Sequence, residues 1–307
     1  MNLKLYQVDA FTTTPFAGNP AGVVLGPDGE PAQGLSEGLM QAIARELNNS
    51  ETAFVLPAEG TDQAPNHDVR VRFFTPTMEV PVCGHATIAA HYVLARARGL
   101  RSGTVVQLTG AGALPVEIEE REGDLAVTMT QGAIEISPPL DMKTELELLR
   151  ALGLLESDRN ARFPVRVAST GHSKVMVGIN SRAALNGLKP NMAALTALSR
   201  KIGSNGYFVF TMDSDDPDVL VHGRMFAPAI GIPEDPVTGN ANGPLGAYLV
   251  GCGFARGKEQ FSFTAQQGEA CGRPGRMLVR VDIAERKPAR VRITGRAVVV
   301  FEAELNV

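Results

Sequence analysis

The residues with the type and setting of catalytic groups gather around two glycines in this 307-residue sequence. Gly84 and Gly239 each open a segment of small and apolar residues that reads as a buried helix, one running to Gly99 and the other to Gly251. The first-turn N–H groups of a helix have no intrahelical partner and carry the positive end of its dipole. Each glycine therefore marks a place where an anion, a carboxylate in particular, can bind. His85 sits in the first turn of the first helix. The positive helix end favours a neutral imidazole there, able to act as acid, base or hydrogen-bond partner; a histidine merely bonded at a helix start is the plainer reading. Asp235, in Pro233-Glu-Asp-Pro-Val-Thr-Gly-Asn240, precedes the second helix, where capping or turn formation would also explain it.

Glu51 follows Ser50 at a helix-to-strand junction and opens an apolar strand, an unusual place for a charge, although by itself it reads as a surface glutamate. Cys83 stands directly before Gly84, where a helix terminus can stabilise a thiolate. The matching position before Gly239 holds Thr238, which disfavours racemisation by a pair of thiols. Cys252 and Cys271 read as packing residues. The five histidines, His67, His85, His91, His172 and His222, lack the spacing of a metal site, and no phosphate-cradling glycine loop follows a strand. Metal catalysis is not expected.

The elements that must position these residues repeat. Arg72-Phe-Phe-Thr-Pro76 is echoed by Arg224-Met-Phe-Ala-Pro228, and Cys83-Gly-His-Ala86 by Thr238-Gly-Asn-Ala241. A strand ending at a glycine follows each helix, Val105 to Gly110 in one half and Phe261 to Gly268 in the other. Order kept at slowly drifting offsets indicates a duplication. Each half reads as many strands around one central apolar helix, buried by a strongly curved sheet. Leu35, Leu39, Ile43 and Leu47 add an amphipathic helix to the first half, and the link between halves falls near Gly123 to Pro139. Asp213 to Asp218 reads as a solvated hairpin tip rather than a calcium loop.

Composition bounds the partners. The net charge is −4, with 44% hydrophobic and 20% charged residues, the pI is near 5.8 and mean hydropathy is close to zero. The basic residues are scattered, so no nucleic-acid or anionic-membrane surface is expected. Three cysteines make no disulfide framework, the N-terminus does not read as a signal peptide, and no apolar run reaches the ~20 residues of a membrane span. A cytoplasmic protein is expected.

Four motifs, Val8-Asp-Ala-Phe-Thr with Pro15-Phe-Ala-Gly-Asn-Pro-Ala-Gly-Val23, Asn48-Asn-Ser-Glu-Thr-Ala-Phe-Val55, Phe74-Thr-Pro with Cys83-Gly-His-Ala-Thr87, and Glu234-Asp-Pro-Val-Thr-Gly239, together resemble the PhzF family of phenazine-biosynthesis-type isomerases. The resemblance runs from residue 3 to the Thr294-Gly-Arg-Ala-Val-Val-Val strand. It implies an α+β, diaminopimelate-epimerase-like fold of two pseudo-symmetric domains. These would be residues 1–124 with about 297–307, and residues 125–296, with the active site in the cleft between them and a homodimer as the assembly. It implies a cofactor-independent isomerase of a small carboxylate resembling trans-2,3-dihydro-3-hydroxyanthranilate. Glu51 falls on the catalytic acid/base, and His85 and Asp235 on residues that hold the substrate and assist proton movement. Gly84 and Gly239 match places where backbone binds substrate, with Asn19, Ser50, Cys83, Thr238 and Asn240 around them. Asn240 replaces a serine of the phenazine enzyme and Cys83 a small apolar residue, which leaves the substrate open. Two other readings are a single-thiol epimerase or dehydratase of a proline-like compound using Cys83, and a binding protein that kept the fold without the reaction.

Overall fold

Strands dominate the architecture, as the alternating patterns require, and the computed structural model describes residues 2–58 and 66–306. The chain divides into two units, Met1–Thr130 with Thr294–Val307, and Gln131–Ile293. In each, a curved sheet closes around one helix.

In the first unit, strand Asn2–Ala10 lies between Asn19–Leu25 and Ala297–Asn306, antiparallel to both. Thr52–Pro57 runs parallel beside Asn19–Leu25 and antiparallel to Val69–Phe74. The central helix α2 (Gly84–Ala97) is buried from Gly84 through Ala95; with Gly, Ala, Ile and Val on every side it has no polar face to turn to water. Helix α1 (Glu37–Leu47) starts at Glu37 because the Ser36 hydroxyl accepts a hydrogen bond from Leu39 N at 3.3 Å. Leu35 therefore packs on the same cluster as Met40, Ile43 and Phe54 from outside the helix. Asn48, at φ 53°, ends it in the left-handed conformation.

The second unit carries helices α3 (Met142–Leu152), α4 (Arg182–Asn186), α5 (Met192–Ile202) and the central helix α6 (Gly239–Gly251). Lys174–Ile179 runs parallel to Tyr207–Thr211, which forms a hairpin with Val221–Ala227. The acidic residues 213–218 form the tip of that hairpin, as expected. The expectation of a single helix per repeat is incomplete here: α3, α4 and α5 cover one sheet face and build a second core from Leu148, Leu152, Leu195, Val175, Val177 and Phe226. The helical spacing of Leu148, Leu149 and Leu152, and the caps Asp141, Ser181 and Asn191, are legible signals for these helices.

The duplication is visible in topology. Val69–Phe74 pairs with the short strand Glu79–Val80, α2 follows, and Ser102–Thr109 returns parallel to Val69–Phe74 before an antiparallel partner, Gly112–Arg121. Val221–Ala227 pairs with Ile232–Asp235, α6 follows, and Gln260–Gln267 returns parallel to Val221–Ala227 before Gly275–Ala284. Among the described residues no helix is long and apolar enough to cross a membrane.

Candidate functional site

The first unit gathers four of the residues singled out above. The backbone of Glu51 is held by the hydrogen bond from Gly22 N to its carbonyl, 3.2 Å, just before strand Thr52–Pro57 begins. Cys83 is the extended N-cap of α2 and is pinned by its carbonyl, which accepts from Thr87 N (3.0 Å) and Thr87 Oγ1 (2.7 Å). That turn aims the buried His85 ring at the other groups. Its Nε2 lies 3.4 Å from Glu51 Oε2 and 3.3 Å from Ser50 Oγ, and its Nδ1 lies 3.4 Å from Cys83 Sγ. One imidazole thus touches a thiol on one nitrogen and a carboxylate and a hydroxyl on the other. If Nδ1 accepts from the thiol, Nε2 carries the hydrogen toward Glu51 and Ser50. The side chains of His85 and Glu51 are 8% and 15% exposed, largely sheltered from water yet open enough to reach a ligand.

Among the described residues the group with metal-ligand geometry is this same one, with donor atoms of Glu51, Cys83 and His85 within 4.8 Å of one another. Oxygen, nitrogen and sulfur donors at that spacing are of the kinds zinc takes. Asn19 is buried at the start of its strand, opposite Ala10. Gly84 is the first residue of α2, so its N–H is among those the helix leaves without an intrahelical partner.

The second unit gathers the remaining four. Thr238 is the N-cap of α6, and its hydroxyl donates to Asp235 Oδ2. The buried amide of Gln267 clamps the turn between them. It accepts from Thr238 N (3.1 Å) and Asn242 Nδ2 (3.0 Å), and donates to the Asp235 carbonyl (2.8 Å) and Thr238 Oγ1 (3.1 Å). Gln131 reaches the first turn of α6, donating to the Gly239 carbonyl (3.1 Å) and to Asn240 Oδ1 (3.3 Å) while Thr170 Oγ1 donates to its Oε1 at 2.6 Å. It lies so close to the helix that a Cβ on Gly243 would sit 1.7 Å from Gln131 Oε1. Next to Asp235, Glu234 is gripped by both sides of the buried Arg224 guanidinium, at 2.8 Å each, and Arg224 Nη1 donates to the carbonyls of Leu185 and Leu188. This ties the Asp235 strand to the turn after α4.

Gln131, Asn242, Gln267 and Lys174 were not foreseen. Gln267 had a signal: Phe261, Phe263 and Ala265 point inward on its strand, and a glutamine ends that series. Lys174 is buried at the start of its strand, and burial pushes its ammonium down to about 8 while Asp235 pulls the other way. Burial, then the Lys174 charge, lowers the His172 pKa as well. A further chain, Ser214 Oγ to His222 Nε2 (3.0 Å) and His222 Nδ1 to Glu269 Oε2 (3.2 Å), has the connectivity of a hydrolytic triad. His222 is 1% exposed, so no leaving group can reach it, and the chain serves to join the hairpin tip to the turn at Glu269.

Residues 8–303 match the family model for the phenazine biosynthesis-like proteins, PhzC-PhzF. An uncharacterized isomerase of Clostridium acetobutylicum is 52% identical over 303 residues, covering 98% of this chain and 97% of the relative. The crystal structure of the Bacillus anthracis phenazine biosynthesis protein of the PhzF family superposes with a TM-score of 0.87 at 33% identity, covering 100% of both chains. A hydroxyproline epimerase from Agrobacterium vitis, at 15% identity and a TM-score of 0.63 over 99% of this chain and 91% of the other, shares the fold.

Proposed function

Because the chain belongs to the PhzC-PhzF family of phenazine biosynthesis-like proteins, we propose that it is an isomerase moving a proton within a small cyclic or unsaturated carboxylate of the trans-2,3-dihydro-3-hydroxyanthranilate kind. The observation that carries this reading is the contact of Glu51 with His85 at the start of α2. In the proposed reaction the Glu51 carboxylate takes a proton from a carbon made acidic by conjugation. The electrons of that C–H bond become the new π bond, the old π bond shifts, and its far carbon takes the proton back from the Glu51 carboxylic acid. No electron leaves the substrate and no co-reactant is consumed. His85 donates to the Glu51 carboxylate, holding its free oxygen toward the substrate. Asp235 with Thr238, Gly239 and Asn240 is the substrate-holding group, the first-turn N–H groups of Gly239 and Asn240 in α6 taking negative charge.

Glu51→Gln is expected to fold and to bind carboxylates as before, while losing both turnover and the incorporation of solvent deuterium into a panel of cyclic and dihydroaromatic acids. A Glu51→Gln protein that still exchanges deuterium ends this assignment. The 3.4 Å contact of Cys83 Sγ with His85 Nδ1 favours one second reading, a thiol base for a proline-like substrate. In that case Cys83→Ser abolishes exchange and Glu51→Gln does not.

A further inference from the structure

A buried ammonium with little to neutralise it needs a reason. Lys174 is 9% exposed, and among the described residues its Nζ has one hydrogen-bond partner, the Ser173 carbonyl at 3.2 Å, and no carboxylate within ion-pair distance. Taking a charge out of water is costly unless something of opposite sign receives it. Its place in the sheet shows what it faces. Met176 pairs with Phe208, Phe208 with Met225, and Met225 with Asp235. Directly opposed residues share a face and side chains alternate along a strand. Lys174, two residues before Met176, is therefore on the same face as Asp235. The other face, bearing Val175, Val177, Tyr207 and Phe226, is filled by α3, α4 and α5. The stem of Lys174 lies flat on Gly206, where a Cβ would come within 2.3 Å of its Cδ, so the chain is held close to the sheet.

The segment leading into Lys174 is bonded to the first turn of α6: Thr170 Oγ1 donates to Gln131, which donates to the Gly239 carbonyl and Asn240. Ser173 Oγ donates to the buried Ser204 Oγ at 3.1 Å, which fixes the strand start. A dry cation with spare hydrogens on its nitrogen, and a helix start tied to the same segment, are what an anionic ligand group requires.

We propose that Lys174 anchors the carboxylate of the substrate, a role that rests on the isomerase reading above. The ligand's anion supplies the counter-charge, and its oxygens take the unused N–H groups. Lys174 is then a positioning residue for the substrate, and proton transfer stays with Glu51.

The test measures binding of anthranilate, and of uncharged anthranilamide as control, by calorimetry with wild type, Lys174→Met and Lys174→Arg. Anthranilate binding to wild type with anthranilamide at least tenfold weaker is expected. Lys174→Met should weaken anthranilate about 10- to 100-fold, the usual loss for a charge-assisted hydrogen bond, and leave anthranilamide unchanged. Its melting temperature should not fall, because an uncompensated buried charge has been replaced by an apolar chain of similar length; Lys174→Arg, which keeps the charge, gives an intermediate affinity. With Asp235 and His172 as the neighbouring ionisable groups, binding near pH 8.5 should take up a proton, and Lys174→Met should abolish that uptake. Unchanged anthranilate affinity in Lys174→Met, or unchanged affinity with lost deuterium exchange, overturns the anchor while leaving the isomerase reading intact. Failure of wild type to bind anthranilate or any other cyclic carboxylate of the panel overturns both.

Discussion

Replacing Gln267 by leucine tests whether one amide holds together the proposed substrate-holding group around Asp235 and Thr238. The change keeps the side chain apolar enough for its buried place and close in volume, so the loss is chiefly of hydrogen bonds. Four are removed. Two of the partner groups keep another bond, since Asn242 Nδ2 still donates to the Thr238 carbonyl and Thr238 Oγ1 to Asp235. Thr238 N–H and the Asp235 carbonyl lose the partner that Gln267 provides. The buried Thr238 N–H, left without Gln267, costs ~1–3 kcal/mol, and each of the other three lost hydrogen bonds about 0.5–1.5 kcal/mol, offset by roughly 1 kcal/mol for the better burial of leucine. A net loss of about 3 kcal/mol corresponds to a melting temperature lower by about 6–12 °C for a unit of this size. Thermal and urea unfolding measure it, and deuterium exchange measures the effect on Asp235 and the α6 start, expected to fall at least tenfold. Gln266→Leu is the control: its amide bonds Glu269 and Arg276, toward the more exposed side, and its loss should cost less than about 1 kcal/mol. A melting temperature for Gln267→Leu within 2 °C of wild type would refute the accounting, because it would mean that the turn finds replacement partners without cost.

Two other predictions concern the two central helices. Gly243→Ala drives a methyl into the Gln131 amide, which must swing away from Gly239 and Asn240; deuterium exchange should drop by at least tenfold while melting falls by only a few degrees, and equal activity would show that Gln131 does not order the α6 start. His91, buried in α2 with Nε2 bonded to Gln107 Oε1 at 3.0 Å, is lowered to about 4 by burial. The folded state therefore resists a proton that the unfolded chain accepts near 6.5, so stability is complete above that pH and is lost as pH falls toward 4. That loss is on the order of 3 kcal/mol. His91→Gln should flatten the decline between pH 6.5 and 4 in urea titrations, and a decline of unchanged steepness would assign it to other groups.

Much of this molecule is legible in its amino-acid sequence. The apolar helices at Gly84 and Gly239 have no polar side, so they had to be central, and the echo of Arg72–Pro76 in Arg224–Pro228 announced the repeated strand–helix–strand order. Helix α1 is readable from its stripe; α3 and α5 carry stripes of the same kind, but they belong to only one copy, so the repeat gives no cue to them. The residues of the site were legible as separate positions beside helix starts and strand ends. Their contacts were not, because Ser50 and Glu51 reach His85 only when strand Thr52–Pro57 and α2 are packed in the same unit.

The types of the chemical groups follow from the chain alone: a glutamate opening an apolar strand, a histidine and a cysteine flanking the glycine of α2, an aspartate before α6, and a net charge of −4 that disfavours nucleic acid. What those groups touch was decided by tertiary structure. Local spacing sets which face a residue occupies, but hydrogen bonding is a matter of about 3 Å. That precision is set by the packing of strands far apart in sequence. Thus Cys83, flanking a glycine-started helix, is one partner of a shared imidazole, Gln267 secures the turn that carries Asp235, and Lys174 has its charge buried on the sheet face of Asp235. The two glycine-started helices keep the central place their composition gave them, and the side chains gathered at their first turns are the tertiary structure's contribution.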